Sequence, residues 1–318
     1  MSKKDTNKAC AFRTSIGGQA LIEGLLMRGP KKQAIVCRKA DGSMVVKEEE
    51  LKLTKDKHPI LGWPLIRGVV TFGDSMAKGI RAITWSADQL PEEEQEEPGK
   101  LDKWIEEKLG WEKAQKIIMG IAMVLGIGLS IVLFFFLPTL LTGLLGGYIK
   151  SRIVKNLIEG VIRIIIFLVY LWLTTRMKDV RRMFSYHGAE HKAIHCYERG
   201  LPLTVENVQK MPRQHPRCGT SFLFVVMIVS ILVLMFVGWS NALVRMLLRL
   251  ALLPVIVGIS YEFNRAVGRH DNFLTRALSW PGRKLQNLTT FEPDDSMVEV
   301  SIDALTRVIP EEKGADEW

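Results

Sequence analysis

The sequence has few cysteines and no apolar segment at its N-terminus. Cys10, Cys37, Cys196 and Cys218 form no CxxC pair, and without a secretion signal we expect all four to be reduced. The N-terminal residues before the first glycine pair lack the apolar core that a signal peptide requires. We therefore expect no cleaved signal peptide, and we expect the first membrane helix to direct insertion.

The sequence also lacks a basic stripe interleaved with aromatic residues, and it contains no known nucleic-acid-binding module. Its 43 Lys and Arg residues nevertheless outnumber its 34 Asp and Glu residues, which gives a net charge of +9. Lys and Arg collect in the cytoplasmic segments of membrane proteins. The excess of positive charge is therefore interpreted as a sign of membrane topology, and no nucleic acid is expected as a partner.

The apolar residues are unevenly distributed, although they make up 47% of the 318 residues and the mean hydropathy is only +0.12. Nearly all the long apolar runs fall in the middle of the chain, between charged flanks. We therefore predict a mainly α polytopic membrane protein with a small N-terminal α+β part. Its predicted divisions are an N-terminal cytoplasmic region (1–113), a four-helix membrane domain (114–265) with a His-rich cytoplasmic loop (176–217), and a cytoplasmic tail (266–318).

Four stretches approach the roughly 20 apolar residues that a helix needs to cross a bilayer. They are 117–138, 153–175, 219–239 and 243–260. The second stretch contains Glu159 and Arg163, which lie four residues apart on one helix face. Because ionised groups are costly inside a membrane, these two are predicted either to pair with each other or to form a functional polar face.

The charges between the spans predict their orientation. The loop 176–217 contains nine Lys and Arg residues against four acidic ones, whereas Lys150 and Arg152 are the only charges between the first two spans. The positive-inside rule places the loop 176–217 in the cytoplasm. With four spans, both termini of this multi-pass cell-membrane protein are then cytoplasmic too.

Two elements are predicted before the first span. Strand-like runs on either side of Asp41 and Gly42 indicate a β-hairpin with a primed turn. Residues 64–87 have apolar side chains at spacings of three and four, which predicts an amphipathic helix. That helix is too polar to span; it either lies in the membrane interface with Trp85 as an anchor or packs on the loop domain.

The pattern most indicative of chemistry is HGAEH, at residues 187–191 of the cytoplasmic loop. His187 and His191 lie one helical turn apart, and two such imidazoles can hold one zinc ion. The pattern matches the H-x-x-E-H motif of inverted zincins. In that arrangement a carboxylate that is not a ligand accepts a proton from water that the metal activates. We therefore predict a divalent metal, with zinc as the first choice, and Glu190 as the general base.

The third metal ligand stays open. Glu262 is the first choice, because it ends the fourth span at the same membrane face and would complete a His₂Glu set. His215 or Cys218, just before the third span, would serve equally well. His195 lies on the same helix face but about 12 Å along the axis from His187, so it is assigned to the surroundings of the metal or to a second metal.

Three other interpretations of the histidines stay open as well. The histidines could form a hydrogen-bonded polar cluster where the loop packs on the bilayer surface. They could instead bind lipid phosphate together with Arg181, Arg182 and Arg217. A di-iron centre like that of the membrane desaturases is a weaker alternative, because it needs more histidines than the six found here, of which His58 and His270 are isolated.

Five segments together resemble the YqhQ-like family, a bacterial membrane family of unknown function. They are GGQALIEGLLMRGP (17–30), YHGAEHKAIHCYE (186–198), HPRCGTSF (215–222), GISYE (258–262) and WPGRKLQNLTTFEPDDSMVEVSI (280–302). The resemblance extends from about residue 15 to residue 308. It implies a metal-dependent enzyme with His187, His191, His195 and Glu190 at its site, and it implies no substrate.

The glycine-rich segment 17–30 offers Gln19, Glu23 and Arg28 as further polar groups. Because this segment is predicted to share the cytoplasm with the histidines, it is able to fold back over them. The alternative is that its glycines and Pro30 only shape a turn.

The resulting hypothesis is a cytoplasm-facing membrane hydrolase. Its expected partners are the lipid bilayer and a membrane-bound substrate or partner protein, because the amphipathic helix and the apolar surroundings favour a substrate in the membrane. The competing hypothesis is a non-enzymatic assembly or regulatory factor of the membrane, in which the metal or the polar cluster is structural.

Overall fold

The computed structural model describes residues 12–51, 59–90, 108, 110–145, 148–236, 238, 242–269, 272–312 and 314–317. Cys10, His58 and His270, named above, lie outside these ranges. The described residues are mainly helical, with one small antiparallel sheet near the N-terminus. In chain order the helices are α1 (Ile66–Ala87), α2 (Trp111–Ile131), α3 (Leu137–Leu144), α4 (Arg152–Thr174), α5 (Lys178–Glu198), α6 (Val205–Gln209), α7 (Gly219–Leu234), α8 (Ala242–Arg269), α9 (Phe273–Thr289) and α10 (Asp295–Val308).

The chain divides by packing into two compact units. Unit one comprises the described residues of 1–90, 171–229 and 253–318, and unit two those of 91–170 and 230–252. Unit one thus combines the N-terminal region, the histidine loop and the tail. Segments distant in sequence therefore pack on one sheet in this unit.

The sheet of unit one contains four antiparallel strands in sequential order. They are β1 (Gly17–Leu21), β2 (Gly24–Arg28), β3 (Lys32–Arg38) and β4 (Met44–Glu50). Strands β3 and β4 form the predicted hairpin. Its connection contains Gly42, whose φ is +82°. Because Arg38 pairs with Met44, the connection is longer than the predicted two-residue primed turn.

Both faces of the central strands β2 and β3 are buried, which explains why these two strands read as apolar runs rather than as alternating patterns. On one face Leu25 and Val36 belong to a core that includes residues of α5 and α10. On the other face Leu26 and Ile35 cluster with Ala82 of α1. Full burial of each aliphatic side chain contributes about 1.5–3 kcal/mol, so the sheet is held by helices on both sides.

The predicted amphipathic helix is present as α1, and within unit one it packs on the sheet. Ser86 accepts a hydrogen bond from the backbone of Ile22, 3.3 Å away. Gly68 lies so close to Tyr261 of α8 that an added Cβ would approach the tyrosine Cβ to 2.7 Å. Phe72 and Met76 of α1 are exposed. The helix therefore has exposed apolar surface on the side that does not pack within unit one.

Among the described residues, three helical stretches are long and apolar enough to cross a membrane. They are Ile117–Leu144 (α2, a π-helical turn and α3), Arg152–Thr174 (α4) and Met246–Val267 within α8. These correspond to the first, second and fourth spans expected from the sequence. The stretch expected as the third span is present as α7, a shorter apolar helix of 16 residues.

Charged residues within unit two are buried together. Glu159 of α4 receives hydrogen bonds from both terminal nitrogens of Arg249 in α8 and, at 2.7 Å, from Thr139. Arg163 is 3.4 Å from the same carboxylate, so the predicted Glu159–Arg163 pair exists. Arg249 is the closer partner, because it comes from another helix and makes two bonds to the carboxylate.

Candidate metal centre

Helix α5 positions the histidines because two of its faces have different partners. Tyr186, Ala189 and Ala193 point into the core shared with the sheet. His187 and His191 lie on a neighbouring face, one turn apart. The sheet therefore fixes the rotation of the helix and, with it, the direction of the imidazoles.

Gly188 lets a second segment cross this helix next to the histidines. A Cβ at Gly188 would lie 2.0 Å from the carbonyl oxygen of Phe291, so no larger residue fits without a shift of the backbone. The crossing segment is fixed by a 3.0 Å hydrogen bond from the Phe291 amide to the Phe184 carbonyl. It brings the Thr289 carbonyl to 2.8 Å from Nδ1 of His187.

The structure brings His187, His191 and Cys218 together as one group able to hold a metal. Their ligand atoms all lie within 4.8 Å of one another, and His191 and Cys218 are buried. Nε2 of His187 is 3.2 Å from Sγ of Cys218. Ligand atoms that share one tetrahedral zinc are about 3.3–3.8 Å apart, so a small outward movement would accommodate the ion.

Backbone carbonyls orient both imidazoles of this group. Nδ1 of His187 donates to Thr289, and Nδ1 of His191 lies 2.5 Å from the carbonyl oxygen of Arg213. A carbonyl oxygen can only accept a hydrogen bond, so each Nδ1 carries a hydrogen and Nε2 is the ring nitrogen left to bind a metal. Metal-binding histidines characteristically donate their other ring nitrogen to a carbonyl or carboxylate in this way.

His187 and Cys218 also shift each other's acidity. Burial alone would lower the pKa of His187, but the negative charge of Cys218 raises that pKa to about 9. Burial opposes ionisation of Cys218 as well, yet the imidazoles of His187 and His191 hold its pKa well below the usual range. The arrangement therefore favours a thiolate, which is the form of cysteine that binds metals.

Glu190 lies beside this group and keeps one oxygen unused. Its Oε1 accepts a 2.9 Å hydrogen bond from the backbone amide of Gly18, whereas its Oε2 is buried and has no hydrogen-bond partner among the described residues. Burial raises the pKa of Glu190, against the opposing charges of His187 and His191. A buried oxygen of this kind is suited to hold a proton.

The glycine-rich segment 17–30 folds onto α5, which is the first of the two alternatives considered for it. Gly18 contacts Glu190 as described, and Glu23 pairs with Arg182 through both carboxylate oxygens. Tyr186 donates a 3.2 Å hydrogen bond to the same carboxylate. Glu23 holds a positive φ of 50° in the connection between β1 and β2, which directs its side chain to the helix.

A second group contains His195, Glu198 and His215, whose ligand atoms also lie within 4.8 Å of one another. Its carboxylate already has partners: Arg217 forms an ion pair with Glu198, and the amide of Thr14 donates to it at 3.0 Å. The charge of Glu198 is thus balanced by a guanidinium. This makes the second group less attractive to a cation than the first.

The histidines of the second group are held neutral. Burial, followed by the nearby His215, lowers the pKa of His195 to about 3. Burial also lowers the pKa of His215 well below the usual range, with His191 and Arg217 contributing. Nε2 of His195 lies 2.9 Å from the Gln214 carbonyl, so this imidazole braces the loop that carries His215.

Glu262, the first choice for the third ligand, lies in neither group. It pairs with Arg67 of α1 through both carboxylate oxygens, one of them at 2.7 Å from Nε. Cys218, one of the alternatives for the third ligand, is the residue that lies beside His187 and His191. The sequence could not separate them, because both residues were assigned to the same membrane face and only the fold shows which one reaches α5.

Several residues of the centre were missed from the sequence. The carbonyls of Thr289 and Arg213 and the amide of Gly18 carry no side-chain signal. Glu198, the fourth residue of a His-x-x-Glu spacing that starts at His195, offered a signal that was not used. Gln286 was missed too, although its side chain bonds both the amide and the carbonyl of His215, at 2.8 and 2.7 Å.

Comparison with known proteins shows what the chain as a whole is similar to. A family model described as "Protein of unknown function (DUF1385)" matches residues 63–311, which include both metal-capable groups. The chain is 32% identical over 306 residues to "Uncharacterized protein YqhQ" of Bacillus subtilis (strain 168), a match that covers 92% of each chain. No solved structure matches the chain.

Proposed function

The chain belongs to the DUF1385 family of proteins of unknown function, and we propose that it is a membrane-associated, metal-dependent hydrolase. The observation that carries the proposal is the placement of Glu190. Its Oε2 is buried without a hydrogen-bond partner among the described residues, next to three side chains able to hold one metal. A metal-binding set and an uncommitted carboxylate are the parts that metal-assisted hydrolysis requires.

His187, His191 and Cys218 are the residues that would hold the metal. Imidazole and thiolate donors suit zinc. A divalent metal bound there supplies Lewis-acid activation of water and of the bond to be cleaved. Three protein ligands leave one position free for that chemistry.

Glu190 is proposed as the residue that moves the proton. The Gly18 amide holds Oε1, so Oε2 is the atom that accepts the proton and later returns it. The pKa of Glu190 is raised above that of a solvent-exposed carboxylate, towards neutral pH. This favours both the acceptance of the proton and its later return. The peptide, lipid headgroup and polyprenyl phosphate classes remain the substrates to screen.

We further propose that the protein is multi-pass in the cell membrane, with α7 as a fourth span and with the loop 176–217 and both termini in the cytoplasm. The support is the charge of that loop, nine basic residues against four acidic ones. Reporter fusions test this topology. A cytoplasmic reporter should be active after residue 318, and an extracytoplasmic reporter should be active after residue 240; the reverse pattern would overturn the orientation.

Metal analysis is the experiment that tests the centre. The protein purified in mild detergent is loaded with zinc, desalted and analysed by elemental mass spectrometry. About one zinc per chain is expected, lost in His187→Ala, His191→Ala and Cys218→Ala. Cys37→Ala is the matched control, because Cys37 is equally buried but lies in the sheet core. No stoichiometric zinc in the folded wild-type protein would reject the proposal.

A structural role is the second candidate, and the hydrogen bonds of the histidines favour it. His187, His191 and His195 each bond a backbone carbonyl from another segment. Such a cluster could fix the loop on α5 without any reaction. In that case the alanine variants should lose thermal stability, and chromogenic phosphate and carboxylic esters should not be hydrolysed by the zinc-loaded protein.

A further inference from the structure

Helix α9 presents an exposed face of aromatic and basic residues. Phe273 is 88% exposed and Trp280, two turns later, is 56% exposed. Arg276 and Lys284 are exposed at positions between and after them. Because these residues are spaced by three, four and four, they lie on one side of the helix.

The charge of this face has one sign. Between Asn272 and Phe291 the sequence contains Arg276, Arg283 and Lys284 and no acidic residue. The ammonium of Lys284 lies 5.8 Å from the centre of the Trp280 ring. Aromatic rings with interleaved Lys and Arg side chains are typical of helices that lie at the headgroup level of a bilayer.

The position of α9 in the chain agrees with such a location. The candidate span Met246–Val267 ends a few residues before α9 begins at Phe273. A span that leaves the hydrocarbon core at Val267 delivers the next helix to the membrane surface. Anionic headgroups are the surface component that complements the positive charges of Arg276 and Lys284.

The opposite side of α9 is buried and holds the loop of the metal centre. Gln286 bonds the His215 backbone at both of its polar atoms and Ser221 at 3.0 Å. A Cβ at Gly282 would approach Ser221 to 2.9 Å, so the helix lies directly on the start of α7. The Thr289 carbonyl at its last turn orients His187.

We propose that α9 is an interfacial helix whose exposed face, formed by Phe273, Arg276, Trp280 and Lys284, docks on the anionic headgroups of the bilayer. Its buried face then ties the histidine loop to the membrane surface. The docking needs no metal, so it stands or fails separately from the proposed hydrolase. That this docking would hold the metal centre at the membrane surface rests on the proposed function.

Fluorescence quenching tests the docking. Full-length protein is reconstituted into vesicles of phosphatidylcholine and phosphatidylglycerol, with or without bromine on the acyl chains. The difference in emission between wild type and Trp280→Phe isolates Trp280 among the eight tryptophans. Brominated lipid should quench this difference emission, and aqueous iodide should leave it largely unchanged.

Charge variants test the headgroup preference in the same vesicles. Arg276→Gln combined with Lys284→Gln should weaken the bromine quenching of Trp280 when phosphatidylglycerol is present. Lys210→Gln, at an exposed lysine directly after α6, is the control and should change nothing. If Trp280→Phe fails to fold, Phe273→Trp adds a reporter on the same face.

Two results would overturn the proposal. Quenching of Trp280 by iodide and not by brominated lipid would place the face in water. Protection from both quenchers would mean that protein covers it, either a second copy or another partner.

Discussion

The backbone amide of Gly18 donates a 2.9 Å hydrogen bond to Oε1 of Glu190, 172 positions further along the chain. The bond joins strand β1 to the helix that carries the histidines. It commits one oxygen of the carboxylate and leaves the other for chemistry. The N-terminal sheet is therefore part of the candidate site and not a separate appendage.

Gly18→Ala should disturb this contact. The new Cβ would lie 2.6 Å from the Leu26 carbonyl and 3.0 Å from Cδ of Glu190. Crowding of this kind costs about 1–3 kcal/mol in the free energy of unfolding, and thermal unfolding in detergent should show the loss. Gly17→Ala is the control, because its Cβ would meet nothing within 4 Å. Equal stability of the two variants would contradict the proposed packing.

Glu190→Gln separates proton transfer from metal binding. The amide keeps the size of the side chain and its bond to Gly18 but cannot act as a base. We expect zinc to stay near one per chain, while hydrolysis of p-nitrophenyl esters or phosphates falls by about 10²–10⁴-fold. Glu262→Gln removes a carboxylate that pairs with Arg67 instead, so it should keep both properties. Undiminished hydrolysis in Glu190→Gln would remove this residue from the mechanism.

The stability of the metal-free protein should increase with pH between about 3 and 6.5. Burial and the nearby His215 lower the pKa of His195 to about 3, from 6.5 in an exposed histidine. In this range the unfolded chain binds a proton at His195 that the folded chain does not, so acid favours unfolding. Above pH 6.5 the effect is complete and constant.

Urea unfolding of chelator-treated protein at several pH values measures this dependence. Because other buried groups titrate in the same range, the informative quantity is the difference between wild type and His195→Gln. The variant should show a shallower slope of unfolding free energy against pH. Parallel slopes would mean that His195 is protonated equally in both states.

The Glu159–Arg249 pair should tolerate joint replacement better than single replacement. The two side chains are only 1% and 3% exposed, so Arg249→Leu leaves a buried carboxylate without its main partner. Losing one member of such a pair costs about 3–5 kcal/mol, whereas apolar replacement of both is often neutral. In detergent, the double variant Glu159→Leu/Arg249→Leu should unfold at a higher temperature than the single variant Arg249→Leu. The opposite order would show that the pair itself is stabilising.

Periodicity and apolar runs predicted much of the fold. The amphipathic helix α1, the β3–β4 hairpin and, at three of the expected spans, helices long and apolar enough to cross a membrane are present, because each depends on a local pattern. The strands β1 and β2 were not predicted. Their glycines argued against regular structure, whereas the sheet uses Gly18 and Gly24 where neighbouring groups leave no room for a side chain.

The candidate site was predicted only in part for a related reason. His187, His191 and Glu190 are neighbours on one helix, so their spacing reveals them. The third donor comes from a distant segment, and the sequence does not state which distant groups reach α5. Glu262 illustrates the limit: its partner, Arg67, lies 195 positions away, and only the packing of α1 against α8 reveals the pair.

The two covered faces of the sheet also set an order of events during synthesis. The strands are complete once Glu50 has been made, but Val298, Ala304 and Leu305, which cover one face, belong to α10 near the end of the chain. At about 5–20 residues per second, the ribosome needs on the order of 10–50 s to reach α10. During that time the apolar helices emerge while one face of the sheet stays open. The nascent chain therefore has an aggregation-prone interval, and a chaperone that shields the strands until termination would benefit its folding.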